Sequence, residues 1–175
     1  MSSFTSLTSL GPVKQGSLVD ANDVNRSLLA QYKRLSDDDA LKRTHFFMGR
    51  FENTYIPQDR ITKLTPIINM ARFYARQILG PELDFMKMGF WFNEMPPGSQ
   101  TSLHTHEEFD EKLSAVYYIQ ATENSGNLLV HHENHVIALK PEAGTIYLFE
   151  PQLPHEVEKN KSDILRLSVA FNFGH

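Results

Sequence analysis

The stretch ILRLSVAFNF, residues 164–173, decides how the rest of the chain is read. In an extended strand alternate side chains share a face, so Leu165, Leu167, Val169 and Phe171 point one way and Arg166, Ser168, Ala170 and Asn172 the other. The apolar face is core against a helical layer, which turns Arg166 and Ser168 into the interior of a barrel. A buried arginine without a partner is costly, and its natural partner is a carboxylate, gripped by the guanidinium while a serine hydroxyl adds a hydrogen bond. The strand itself supplies no carboxylate. A carboxylate on a ligand is therefore expected.

Upstream of this strand the texture from residue 84 onward is one of short strands and turns. FMKMGFWFN, LSAVYYIQA, NLLVHH, HVIAL and GTIYLFE are strand-like segments, separated by EMPPGSQ, TENSGN and other turn-rich pieces. Their short, regular spacing predicts an antiparallel barrel or sandwich. The first half reads as helical. From Asp20, an expected N-cap, Val24, Leu28, Leu29, Tyr32 and Leu35 recur at helical steps, and Ser36 offers a cap for a short second turn. After Pro57, a stripe of Ile61, Leu64, Ile67, Ile68, Ala71, Tyr74, Ala75 and Ile78 predicts a stronger helix that Gly80-Pro81 stops, with Pro66 either kinking it or marking its start. The aromatics of THFFMGRFENTYI, between the helices, favour a strand.

The fold class expected is α+β, mainly β: a double-stranded β-helix, jelly-roll or cupin-like, with N-terminal helices packed on one sheet. Residues 1–83 form the helical layer with a leading strand and residues 84–175 the barrel core, within one structural domain. The stripe over 58–79 packs on the barrel or pairs with a second copy as a homodimer.

The chain has 8 histidines, and all except His45 lie at or beyond His104. In HTH, His104 and His106 share a face, the geometry by which two residues of one strand both touch a metal. His155, in FEPQLPHEV, follows a later strand that can lie beside the first and complete three ligands. Three protein ligands with open positions opposite are what catalysis requires. With 0 cysteines, any such site rests on nitrogen and oxygen. His131, His132 and His135 read as a polar hairpin tip, and EEFDE, residues 107–111, as a solvated loop over the pocket.

HTHEEFDEKLSAVYYI, NSGNLLV, GTIYLFEPQLPHEV and RLSVAFNF together resemble the core of the Fe(II)- and 2-oxoglutarate-dependent oxygenases, especially small members of the prolyl-hydroxylase-like branch. The resemblance spans roughly residues 84–173 and implies Fe(II) and 2-oxoglutarate as cofactors. Carried over position by position, it implies His104 as the first metal ligand, His155 as the distal ligand, Arg166 as the residue binding the far carboxylate of 2-oxoglutarate, and Ser168 as its companion. The family's acidic ligand falls two residues after its first histidine, where this chain has His106. The resemblance thus implies either a three-histidine site or a shift to His106 with Glu108, with Asp110 and Glu111 as more distant substitutes. Tyr117 and Tyr147 are the expected tyrosine contacts of the cofactor, although parity lets only one of Tyr117 and Tyr118 face inward. Trp91 and Asn93 share a face that could line the substrate side.

The implied reaction consumes O₂, converts 2-oxoglutarate to succinate and CO₂, and oxidises a small molecule or an amino-acid side chain on a peptide. Two other classes compete. A cupin that does not use 2-oxoglutarate would take His104, His106, Glu111 and His155 as ligands, but EPQLPH lacks the glycine of that pattern and Arg166 and Ser168 would have no task. A non-catalytic metal- or small-molecule-binding barrel would bind without turnover. A net charge of −4 with mixed signs argues against nucleic acid and anionic membranes as partners. The N-terminus has no signal-peptide pattern and no apolar run is long enough to span a bilayer, so a cytoplasmic protein is expected.

Overall fold

The computed structural model describes residues 3–106 and 110–175. In chain order the elements are β1 (Thr8–Leu10), β2 (Val13–Ser17), α1 (Ala21–Leu35), β3 (Lys42–Phe47), β4 (Arg50–Tyr55), α2 (Thr65–Leu79), β5 (Lys87–Met95), β6 (Thr101–His104), β7 (Glu111–Gln120), β8 (Leu128–His132), β9 (His135–Leu139), β10 (Thr145–Phe149), β11 (His155–Val157) and β12 (Arg166–Gly174). They build two sheets, one ordered β1-β2-β10-β7-β12-β5-β4-β3 and the other β6-β11-β8-β9. Neighbouring strands are antiparallel throughout, as the jelly-roll expectation requires.

The helices cover the outer face of the larger sheet. Leu28 and Tyr32 of α1 and Ile67, Ile68, Ala71, Tyr74 and Ala75 of α2 pack with Phe92, Tyr117, Ile146, Leu167, Val169 and Phe171 in one apolar core. The expected faces of residues 164–173 are therefore realised, with Leu167, Val169 and Phe171 under the helices. The α2 stripe packs on the barrel, the first of the two arrangements expected for it. Pro66 lies in the first turn of α2 and marks its start, and Gly80 (φ 61) ends it. Asp20 holds the position before α1 but with φ 58 and no side-chain cap, and Ser36 closes α1 by donating its N–H to the Tyr32 carbonyl at 2.8 Å. No second turn of helix follows Ser36.

Residues before position 84 do more than form a helical layer with a single leading strand. β1, β2, β3 and β4 all join the larger sheet, on its two flanks. The aromatic segment becomes the β3–β4 hairpin, turning at Met48 and Gly49 (φ 48 and 78). A second, smaller apolar cluster fills the space between the sheets: Val13, Tyr118, Leu128, Val130, Leu139, Tyr147 and Phe149. The histidine-rich HHENH forms the β8–β9 tip, where His132 pairs with His135 and His131 Nε2 meets Glu156 Oε1 at 3.0 Å. No helix among the described residues is long and apolar enough to cross a membrane.

Candidate active site

His104 ends β6 and lies directly opposite His155, which opens β11. His106 follows just beyond the strand, and its backbone N–H donates to the Pro151 carbonyl at 2.9 Å, which ties it to the connection leading into β11. The three imidazoles converge. Their ring centroids are 4.3 Å apart for His104 and His155 and 5.0 Å apart for the other two pairs. One ligating nitrogen from each lies within 4.8 Å of the others.

The backbone sets which nitrogen of each ring is free. His104 Nδ1 is 2.8 Å from the Ser102 carbonyl, and His155 Nδ1 is 2.8 Å from the Leu153 carbonyl. A carbonyl can only accept, so both Nδ1 atoms carry the proton and both Nε2 lone pairs are available to a metal. Burial, followed by the neighbouring His104, lowers the pKa of His106 to about 4 and that of His155 to about 3. Both rings are thus held in the neutral, ligating form at physiological pH. Three imidazoles with no thiolate suit a first-row divalent metal such as Fe(II), and the donor set fits it.

The carboxylates considered as substitutes behave differently. Asp110 binds Lys112 at 2.5 Å, and Glu111 accepts from Asn172 Nδ2 at 3.3 Å, so neither joins the histidine cluster. The cupin-type set with Glu111 is therefore not assembled. Glu108, with Glu107 and Phe109, lies outside the described residues.

Arg166 opens β12 and is 2 % exposed. Its Nη1 donates to the Gly126 carbonyl at 2.6 Å and its Nη2 to the Tyr118 hydroxyl oxygen at 3.3 Å, with the guanidinium 4.9 Å above the Tyr118 ring. Its Nε–H has no partner, and no carboxylate of the described residues pairs with it. A buried cation with an unmet donor is a receptor for an anion. The Tyr118 hydroxyl accepts from Arg166, and burial raises its pKa, so its own proton remains available to donate. Ser168, 2 % exposed, lies across from Tyr118 in the β7–β12 register and adds a third donor on the same face. This cradle fits one carboxylate of 2-oxoglutarate.

Tyr118, not Tyr117, is the tyrosine of this cradle. Tyr117 faces the helices, where its hydroxyl donates to Asn25 Oδ1 at 2.7 Å. Tyr147 is on the interior side, but its hydroxyl donates to the Lys140 carbonyl at 2.8 Å and its ring packs edge-on to Tyr118 at 6.0 Å. It supports Tyr118 instead of facing Arg166. The inner apolar cluster lies between the two groups of side chains: it contains Tyr118, and its Phe149 lies 4.9 Å from the His155 ring. Trp91 lies 5.8 Å from the His106 ring, which puts the Trp91–Asn93 face of β5 beside the histidines.

Residues 129–172 match the family described as "Putative 2OG-Fe(II) oxygenase". That match contains His155, Arg166 and Ser168. Among solved structures, the chain is similar to a Pseudomonas putida prolyl-4-hydroxylase, with TM-score 0.68 and 20% identity over 95% of this chain and 94% of that one. It is also similar to the non-heme alpha ketoglutarate dependent carbocyclase SnoK of nogalamycin biosynthesis, with TM-score 0.74 and 13% identity over 93% and 79% of the two chains. A third is a Trichoplax adhaerens prolyl hydroxylase bound to a hypoxia inducible factor peptide, with TM-score 0.67 and 17% identity over 87% and 79%. No curated protein sequence matches the chain. The fold is that of the 2-oxoglutarate- and Fe(II)-dependent oxygenases, and the stretch that matches the family's model is the one that carries His155 and Arg166.

Proposed function

We propose that the protein is an Fe(II)- and 2-oxoglutarate-dependent oxygenase whose metal is held by His104, His106 and His155. The observation that carries this reading is the buried Arg166, which no carboxylate of the described residues pairs, on the same barrel interior as three converging histidines. A metal-binding barrel without a 2-oxo acid needs no such arginine. When bound, iron and 2-oxoglutarate supply the oxidising chemistry: O₂ and the 2-oxo acid are consumed, succinate and CO₂ are released, and a substrate is oxidised.

The chain's own residues bind and orient. His104 and His155 offer Nε2, with their orientation fixed by the carbonyls of Ser102 and Leu153. Arg166, Tyr118 and Ser168 hold the far carboxylate, with Gly126 fixing the guanidinium from behind. Phe149, Tyr147 and Val130 keep the space between these two groups apolar and dry, which strengthens every charge interaction inside it. The substrate, a small molecule or an amino-acid side chain of a peptide, approaches along Trp91 and Asn93. A cytoplasmic setting suits both a cysteine-free chain and a ferrous site.

The test is succinate release under air with Fe(II), ascorbate and 2-oxoglutarate, compared with His155→Ala. Succinate above that control is expected. No succinate across candidate substrates, together with no stabilisation by 2-oxoglutarate in the presence of Mn(II), overturns the reading in favour of a non-catalytic barrel.

A further inference from the structure

His45 is the one residue of the β3–β4 hairpin, outside its turn, with a left-handed backbone, φ 57. The pairing on either side of it keeps a single register, Thr44 with Asn53 and Phe46 with Phe51, so no inserted residue accounts for the distortion. Strand alternation would send the His45 side chain to the face opposite Thr44 and Asn53. The left-handed turn of the backbone brings it back. His45 Nδ1 lies 2.9 Å from Asn53 Nδ2 and 2.9 Å from Thr44 Oγ1. A strained conformation is thus used to move an imidazole onto the face that carries Asn53, Asn93 and Trp91.

The hydrogen bonds behind it have a fixed direction. Asn93 Nδ2 is 3.1 Å from the Glu52 carbonyl, which only accepts, so that atom is the amide nitrogen and a donor. The same nitrogen donates to Asn53 Oδ1 at 2.8 Å, which leaves Asn53 Nδ2 to donate to His45 Nδ1. His45 Nδ1 is therefore an acceptor, and in the neutral ring the proton sits on Nε2. The exposed side of the ring presents a donor whose identity is set three residues away by a backbone carbonyl. Trp91, on this same face, lies 5.8 Å from the His106 ring, so the face that His45 joins leads to the histidine triad.

We propose that His45 is a substrate-binding residue, whose Nε2–H holds a carbonyl or carboxylate oxygen of the substrate in front of the histidine triad, with Asn53 and Asn93 as its positioning residues. The inference rests on the oxygenase reading for the word substrate, but its test does not. In Zn(II)-loaded, nitrogen-15-labelled protein, the His45 ring signals are assigned by their loss in His45→Gly, a variant that folds because glycine adopts φ 57 freely. The wild type is expected to carry its proton on Nε2, and that signal is expected to shift saturably with acetate, N-methylacetamide or both. A response to acetate alone assigns a carboxylate, and one to the amide alone a carbonyl. Asn53→Asp replaces the donor with an acceptor, so the proton is expected to move to Nδ1 and the probe response to be lost. A proton on Nδ1 in the wild type, or no shift with either probe, overturns the proposal. Neither readout uses iron, O₂ or turnover, so absence of succinate formation would remove the oxygenase reading and leave this one standing.

Discussion

His104 and His155 stand opposite each other across the β6–β11 pair, and each donates its Nδ1–H to the carbonyl two residues earlier, both at 2.8 Å. The two rings are thereby locked in one tautomer by the strands that also set their separation. A metal entering the site meets Nε2 lone pairs already aimed, with little ordering left to do on binding.

His106 is expected to be the third ligand. His155→Ala should abolish the rise in melting temperature given by Mn(II), and His106→Ala should weaken Mn(II) binding by about 100-fold, at or beyond the upper end of what losing a mere supporting contact costs. His106→Asp should restore it, since a carboxylate oxygen also serves such a metal. Glu108→Gln should leave it unchanged. Wild-type Mn(II) affinity in His106→Ala, measured by calorimetry, would transfer the duty to another side chain.

The two adjacent tyrosines are expected to separate cleanly. Tyr118→Phe removes the hydroxyl that faces Arg166 and should weaken 2-oxoglutarate binding by roughly 2- to 10-fold, the range of one net hydrogen bond, with little change in stability. Tyr117→Phe removes the bond to Asn25 and should cost about 1 kcal/mol of stability with no change in 2-oxoglutarate affinity. Arg166→Met should eliminate 2-oxoglutarate binding while keeping the Mn(II) response. The reverse assignment of the two phenylalanine variants would contradict the anion cradle.

Metal-free protein should lose stability on acidification before its carboxylates titrate. His106 and His155 fall from 6.5 to about 4 and about 3 in the folded chain, so between these values and 6.5 the unfolded chain binds more protons. Their contribution is complete above pH 6.5 and is lost as pH falls toward about 4 and then 3. Urea midpoints measured with a chelator at pH 7, 6, 5 and 4.5 should decline, and His155→Asn should decline less steeply. A flat profile over this window would show that the rings are not buried as described.

Gly126 has φ 90, and a Cβ added there would overlap the Glu158 carbonyl group. Its own carbonyl holds Arg166 Nη1. Gly126→Ala is therefore expected to cost about 1–3 kcal/mol by combined overpacking and backbone strain, and to weaken 2-oxoglutarate binding as the loop shifts. Chemical denaturation and a 2-oxoglutarate titration with Mn(II) check the two halves separately.

Much of this architecture was legible because two periodicities were clean. The alternation in residues 164–173 located Arg166 and Ser168, and the helical stripe through Ile67, Ala71 and Tyr74 located the packed face of α2. The HTH spacing paired His104 with His106, and the proline-bounded His155 joined them. Tyr118 was harder, because parity alone separates it from Tyr117 without saying which points inward. Only the register that sets Tyr118 opposite Ser168 decides, and that register contains an irregularity between Leu167 and Ser168. His45 was illegible for a related reason: a single left-handed residue reverses the face that alternation assigns. β1 and β11, of 3 residues each, are too short for a pattern to show, and β2 (VKQGS) lacks the alternation of apolar residues that marks a strand.

The strand that carries Arg166 lies between β5 and β7, so its partners come from segments far earlier in the chain. Contacts at such separation close large loops before they return any stability, which places them late on the folding route and slows it. A refolding chain gains its anion receptor only when the centre of the larger sheet is zipped shut. Until then, His104 and His155, on the other sheet, have no wall facing them, so the two halves of the site come together only through pairings between distant parts of the chain.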